Sequence, residues 1–167
     1  ALEWAGPTHV YADLYAIYRD VPEHQRLLAE HPEWVLRDEA GAPLFIPYDC
    51  DGTSCTQYAA DVGNPAYRAW WISETKAVLA KGYAGVFVDD VNMDMRVSDG
   101  AGRDVAPIDP RTGAPMRSAS WRRYVAAFTE RIAEELPAGA EIVHNAHWWV
   151  EHDDPEVQRQ IDSADIV

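Results

Sequence analysis

Residues 64–92 run from an amphipathic helical pattern into an unbroken apolar segment, and that pairing restricts the fold more than any other feature of the chain. In "GNPAYRAWWISETKAVLAKG", Asn64 suits an N-cap, Pro65 the first helical position and Gly82 the stop, while Tyr67, Trp70, Trp71, Val78 and Leu79 keep roughly helical spacing. "AGVFVDD" follows at once as a strand. A continuous apolar run of this kind fits a parallel sheet covered on both faces.

The unit recurs. Trp121, Tyr124, Val125, Phe128, Ile132 and Leu136 mark a second amphipathic helix that Pro137 and Gly139 end, and "EIVHNA" follows as a strand. "DPEVQRQIDSAD", with Asp154 before Pro155, reads as a short helix leading into a strand at "ADIV". Upstream, "THVYADLY" reads as a strand and "DVPEHQRLLAEHPEW" holds a short helix with Asp20 as its cap. Strands are thus expected near Val10, Ala60, Val86, Val143 and Ile166, with long strand-to-helix links such as residues 91–117. That grammar belongs to α/β proteins whose functional loops lie at the C-terminal ends of parallel strands. A complete eightfold barrel needs about 250 residues. The 167 residues are therefore expected to form one partial domain, 1–167, covering the central portion of a (β/α)8 TIM barrel. A small open doubly wound sheet is the alternative, and its ligand would also sit at the C-terminal strand edge.

Polar groups stand where the strands end: Asp13 after "HVYA", Asp61 after "QYAA", Asp89 after "GVFV", and His144 with Asn145 after "EIV". Charge is costly inside a barrel, so carboxylates from separate strands are expected to converge on one opening. Asp89 follows the apolar run directly and is the first choice of catalytic group, as a nucleophile or as the anion stabilising an oxocarbenium-like transition state; the plainer alternative is that it only fixes the turn. Asp13, Asp61, Asp90, Asn92, Asn145 and Trp148 are expected to bind substrate. Strand alternation would direct Asp90 away from Asp89, leaving it a turn-shaping role. Asn145 would either bond a sugar hydroxyl or fix its loop, and Trp148 with Trp149 would form a stacking wall or pack.

Composition narrows the partners. The formal charge of -14 repels phosphate backbones, so nucleic acid is not expected. No segment reaches the roughly 18 consecutive apolar residues of a membrane span, so membrane insertion is not expected either. Seven Trp and eight Tyr exceed what a modest core uses and favour a cleft for carbohydrate or another small molecule. Asp90, Asn92 and Asp94 match the opening of a calcium loop, but Met95 stands where that loop needs Gly and Ala101 where it needs Glu. No metal and no cofactor are expected. Neither a GxGxxG fingerprint nor a GxSxG elbow occurs. Cys50 and Cys55 bracket "DGTS" at a spacing open to a small disulfide ring or to two unpaired thiols. The sequence starts at Ala1 without an initiator Met, which reads as a start that was processed, cut or omitted.

The succession "VYADL", "HPEWVLRDEAGAPL", "ADVGNPAYRAWW", "GYAGVFVDDVN", "EIVHNA" and "ADIV" resembles the glycoside hydrolases grouped as hypothetical glycosyl hydrolase family fifteen. That family is similar in turn to endo-alpha-1,4-polygalactosaminidase-like enzymes, which are (β/α)8 barrels. The resemblance covers the chain from about Thr8, with "DVGNPAYR" and "GVFVDD" its most specific pieces. It implies that the fourth barrel strand ends in the nucleophile Asp89, the third in a substrate-binding Asp61 and the fifth in Asn145. It also implies a Glu acid/base just past the sixth strand, beyond Val167. The expected protein is a secreted or surface glycosidase acting on a carbohydrate. Its exposed strand edges would be covered by the rest of the barrel or by another chain. A noncatalytic carbohydrate-binding barrel and a metal-dependent hydrolase using Asp89, Asp90, Asn92 and Asp94 are the competing readings.

Overall fold

The computed structural model describes residues 7–147 and 153–167. In chain order its elements are β1 (His9–Asp13), β2 (Ala16–Tyr18), α1 (Pro22–Glu30), β3 (Gln57–Ala59), α2 (Pro65–Leu79), β4 (Gly85–Asn92), β5 (Ile108–Asp109), β6 (Ala114–Pro115), α3 (Ser118–Glu135), β7 (Glu141–His147) and α4 (Pro155–Asp162). β1, β4 and β7 form a parallel sheet in that order, and Ile166 extends it by a parallel bridge to Val143. The chain is thus mixed α/β around a parallel sheet, with α2, α3 and α4 each carrying it from one strand to the next.

Helix boundaries follow local chemistry. The Asn64 side chain accepts the N–H groups of Ala66 and Tyr67, and that of Asp154 accepts from Glu156, with Pro65 and Pro155 beginning the two helices. Asp20 does not cap α1. Val21 occupies the N-cap without a side-chain bond, and Pro22, which has no N–H to satisfy, starts the helix.

The apolar run of β4 is buried on one face only. Val86 and Val88 are fully enclosed in the core with Tyr67, Trp71, Trp121, Phe128 and Ile132, whereas Phe87 is half-buried and Tyr11, stacked on its ring, is exposed. Two-sided cover, expected from the unbroken run, is therefore not found among the described residues. Aromatics instead fill the helix side: Trp34, Trp71 and Trp121 are buried, and Trp71 meets Phe128 edge to face. Each such side chain contributes roughly 1.5–3 kcal/mol through burial.

The strand expected near Ala60 is a correction. β3 pairs antiparallel with β2 in a separate two-stranded ribbon, so no strand lies between β1 and β4, which pair directly from His9↔Gly85 to Asp13↔Asp89. Gly85 permits close approach in the sheet, since a Cβ there would lie 2.0 Å from the Glu141 carbonyl oxygen. Cys50 and Cys55 are joined in a disulfide that closes a small ring between Tyr48 and β3.

Candidate active site

At the C-terminal end of β4 the ladder to β7 slips. Val88 pairs with His144 and Val91 with Ala146, so three steps on β4 match two on β7, a bulge of one residue. Asp90 sits within it in left-handed backbone, φ 55°. The bulge overrides the alternation that would have turned Asp90 away, and Asp89 and Asp90 line the same cleft. That cleft, of about 500 Å3, lies where β1, β4 and β7 end, as expected for an α/β protein.

Asp89 is held by donors from three strands' ends. Asn145 Nδ2 donates to Oδ1 at 2.7 Å, the Asp90 N–H to the same oxygen at 2.8 Å, and the Tyr11 hydroxyl to Oδ2 at 2.6 Å. Charge-assisted bonds of this length favour the anion and fix its orientation. Asp13 lies beside it and is 7% exposed. Its Oδ2 accepts from Tyr18 and, at 3.3 Å, from Tyr11. Burial, followed by the charges of Asp90 and Asp89, pushes the Asp13 carboxyl up to about 7, although the Tyr18 bond works the other way. Burial also raises Tyr11 and Tyr18, so both phenols stay protonated donors.

Asn92 is buried at the cleft floor. Its Nδ2 donates to Asp90 Oδ1 at 2.9 Å and to Tyr15 Oη at 3.3 Å, while its carbonyl takes the Trp121 indole N–H at 2.8 Å. These bonds hold the bulge against the core. Asp13, Asp89, Asp90, Asn92 and Asn145 are thus brought together.

Asp61 is not among them. It is 2% exposed and engaged on both oxygens by Arg111, at 2.9 and 3.0 Å, while Arg111 Nε reaches Asp109 at 2.7 Å. The guanidinium lies so near Gly63 that a Cβ there would stand 2.3 Å from it. This ion pair, with Asp61 buried and Arg111 exposed, joins the link before α2 to the link before α3. His144 also turns from the cleft, bonding Gln160 of α4, and its desolvated ring is lowered to about 4. Asp94 is exposed, and Trp148 lies outside the described residues.

Residues not anticipated are Tyr11, Tyr18, Tyr48 and Arg96, all lining the cleft. Tyr11 had a signal: it stands two positions before Asp13 on one strand and therefore shares its face. Tyr48, 65% exposed at the cleft wall, offers an apolar ring near the disulfide. Among the described residues no group of three or more His, Cys, Asp or Glu side chains is arranged to hold a metal ion.

A family model described as hypothetical glycosyl hydrolase family 15 matches residues 8–159. No curated protein matches the chain. The glycoside hydrolase domain of PelA from Pseudomonas aeruginosa superposes with a TM-score of 0.52 at 16% identity, covering 89% of this chain and 47% of that domain. The alpha-galactosidase TtGalA from Thermus thermophilus, in complex with stachyose, gives 0.53 at 19% identity over 80% of this chain and 23% of its own. A Paenibacillus cycloisomaltooligosaccharide glucanotransferase gives 0.52 at 17% identity over 83% and 18%. At these identities the likeness concerns the fold, and the chain spans less than half of each of these structures.

Proposed function

The chain belongs to hypothetical glycosyl hydrolase family 15, and on that premise we propose that it is the part of a glycoside hydrolase that carries the reacting carboxylate, Asp89. The substrate is a poly- or oligosaccharide and the bond an O-glycosidic one. The observation that carries the reading is the convergence of Asn145, Tyr11 and the Asp90 N–H on Asp89 in an open cleft at the strand ends. A carboxylate held so firmly as an anion suits attack on an anomeric carbon, or stabilisation of the positive charge that develops there.

Glycoside hydrolysis also needs a group to protonate the departing oxygen. We assign that role to a Glu beyond Val167, following the family resemblance. Asp13, Asp90 and Asn92 then hold substrate hydroxyls or the groups that do. The parallel sheet, with its helices against one face and Tyr11 and Phe87 uncovered on the other, supports an arc of a (β/α)8 barrel closed by the rest of the protein. The Cys50–Cys55 disulfide favours an oxidising compartment, in keeping with a secreted or surface enzyme.

The test is glycan-fragment release by the full-length protein over a polysaccharide panel, beside a folded Asp89→Asn variant. Cleavage lost in the variant supports the assignment. Equal cleavage by both removes Asp89 from the chemistry, and sugar binding without cleavage by either moves the reading to a carbohydrate-binding barrel.

A further inference from the structure

Asp13 Oδ1 is buried, and no hydrogen-bond donor reaches it. An oxygen in that position is costly unless a proton comes with it. Another carboxyl, that of Asp90, lines the same cleft and acts on the Asp13 side chain through its charge and a side-chain hydrogen bond. The placement is specific, because Asp90 is aimed by the bulge and its left-handed backbone while Asn92 Nδ2 holds its Oδ1. Two carboxylates in such contact cannot both remain ionised, and one proton between them turns repulsion into a short, strong bond.

We propose that Asp13 and Asp90 hold one proton between them, and that Asp13 is thereby a positioning residue that keeps Asp89 anionic and supplied with its donor. The role depends on the reading of Asp89 given above; the shared proton does not. Tyr11 explains the coupling. Its single hydroxyl hydrogen lies between Asp89 Oδ2 at 2.6 Å and Asp13 Oδ2 at 3.3 Å. With Asp13 neutral, Asp89 is the stronger acceptor and takes it. When Asp13 ionises, a second anion competes for the same hydrogen and adds its charge beside Asp89.

The other groups facing Asp13 do not supply the missing proton. Tyr18 on β2 already donates to Oδ2, Tyr11 on β1 has its one hydrogen between that oxygen and Asp89, and Tyr15 donates to the Arg96 carbonyl. From α2, Tyr67 donates to the Leu14 carbonyl and Trp71 to the backbone oxygen of Asp13 itself. His24 of α1 lies beyond Tyr18, accepting its backbone N–H. Asp89 and Asp90 come from β4, and Arg96 lines the same cleft from the link after it.

The decisive measurement is a carbon-detected NMR titration of the aspartate carboxyls in the full-length protein without ligand. The Asp13 resonance is expected to titrate near 7, and Asp90→Asn to lower its midpoint by at least one unit, since that change removes the neighbouring charge and adds a donor. An Asp13 midpoint below about 5, the ordinary carboxylate range, overturns the shared proton whether or not sugar is cleaved. Burial alone also raises the Asp13 midpoint, so the shift on Asp90→Asn, read in a variant shown to fold, separates a shared proton from burial, and an unchanged midpoint there overturns the sharing. For the positioning role, the pH profile of cleavage, scaled to each protein's own maximum, is expected to fall through about 7 in the wild type and to lose that limb in Asp13→Asn. An identical limb in both overturns the role while leaving the glycosidase reading intact.

Discussion

The Tyr11 hydroxyl on β1 donates to the Asp89 carboxylate on β4 across the first pair of parallel strands, at 2.6 Å. The contact is a direct product of register. Asp13 pairs with Asp89, so Tyr11 lies one step back on the same face, where its ring stacks on Phe87 and its hydroxyl reaches forward. Tyr11→Phe keeps the stack and removes the bond. A hydrogen bond to a charged group contributes about 1.5–3 kcal/mol, so kcat/KM is expected to fall about 10- to 100-fold, with a loss of folding stability no larger than that contribution. Unchanged kinetics would show that Asp89 does not depend on this donor.

Arg111 gives a contrasting outcome. Arg111→Met leaves the buried Asp61 carboxylate without its partly exposed partner, and leaving a buried acceptor unsatisfied costs about 1–3 kcal/mol. Urea unfolding is expected to show a loss of that size. A loss below about 1 kcal/mol would mean that Asp61 finds water or another donor.

Asp13 also sets a pH dependence of stability. Its folded pKa lies above its unfolded value, so the native state binds more protons between about 4 and 7 and stability declines as pH rises through that window. Asp13→Asn removes the penalty. The variant is expected to be more stable than wild type at pH 8 by on the order of 4 kcal/mol, with the gain vanishing near pH 4. A variant less stable at pH 8 would contradict the sign.

Reduction of the Cys50–Cys55 bond should lower the melting temperature. Closing a ring this small restricts the unfolded chain by about 2 kcal/mol, with only five residues of sequence separation between the sulfurs' residues. Calorimetry with and without a reductant reads the difference. Equal midpoints would mean that the link does not stabilise the fold.

The helix–strand alternation was legible because caps and periodicity act over a few residues: Asn64, Asp154 and the proline after each carry their own chemistry. That Asp89 and Asn145 line the cleft was legible because each is a polar residue that breaks an apolar run, although β4 continues to Asn92 and β7 to His147. Asp61 was misplaced because a three-residue apolar run carries no mark of whether its partner is parallel or antiparallel. Its real partner, Arg111, is 50 residues away. Nothing local announces that pairing. Asp90 was misdirected for a subtler cause. The buried valines of β4 fall at 86, 88 and 91, and the break from a period of two was itself the trace of the bulge. Asp13's state depends on groups from separate strands and could only be read once they were assembled.

The inserted residue of β4 ties the acidity of the cleft to the register of a strand. Removing Asp90 outright would bring the strand back into phase: Asp89 would face Asn145 directly, and Val91 would keep Ala146. The ladder thus offers a second register at this position, one in which Asp13 and Asp89 line the cleft without Asp90. The length of one strand, and not only the identity of its residues, therefore sets how many carboxyls the cleft holds.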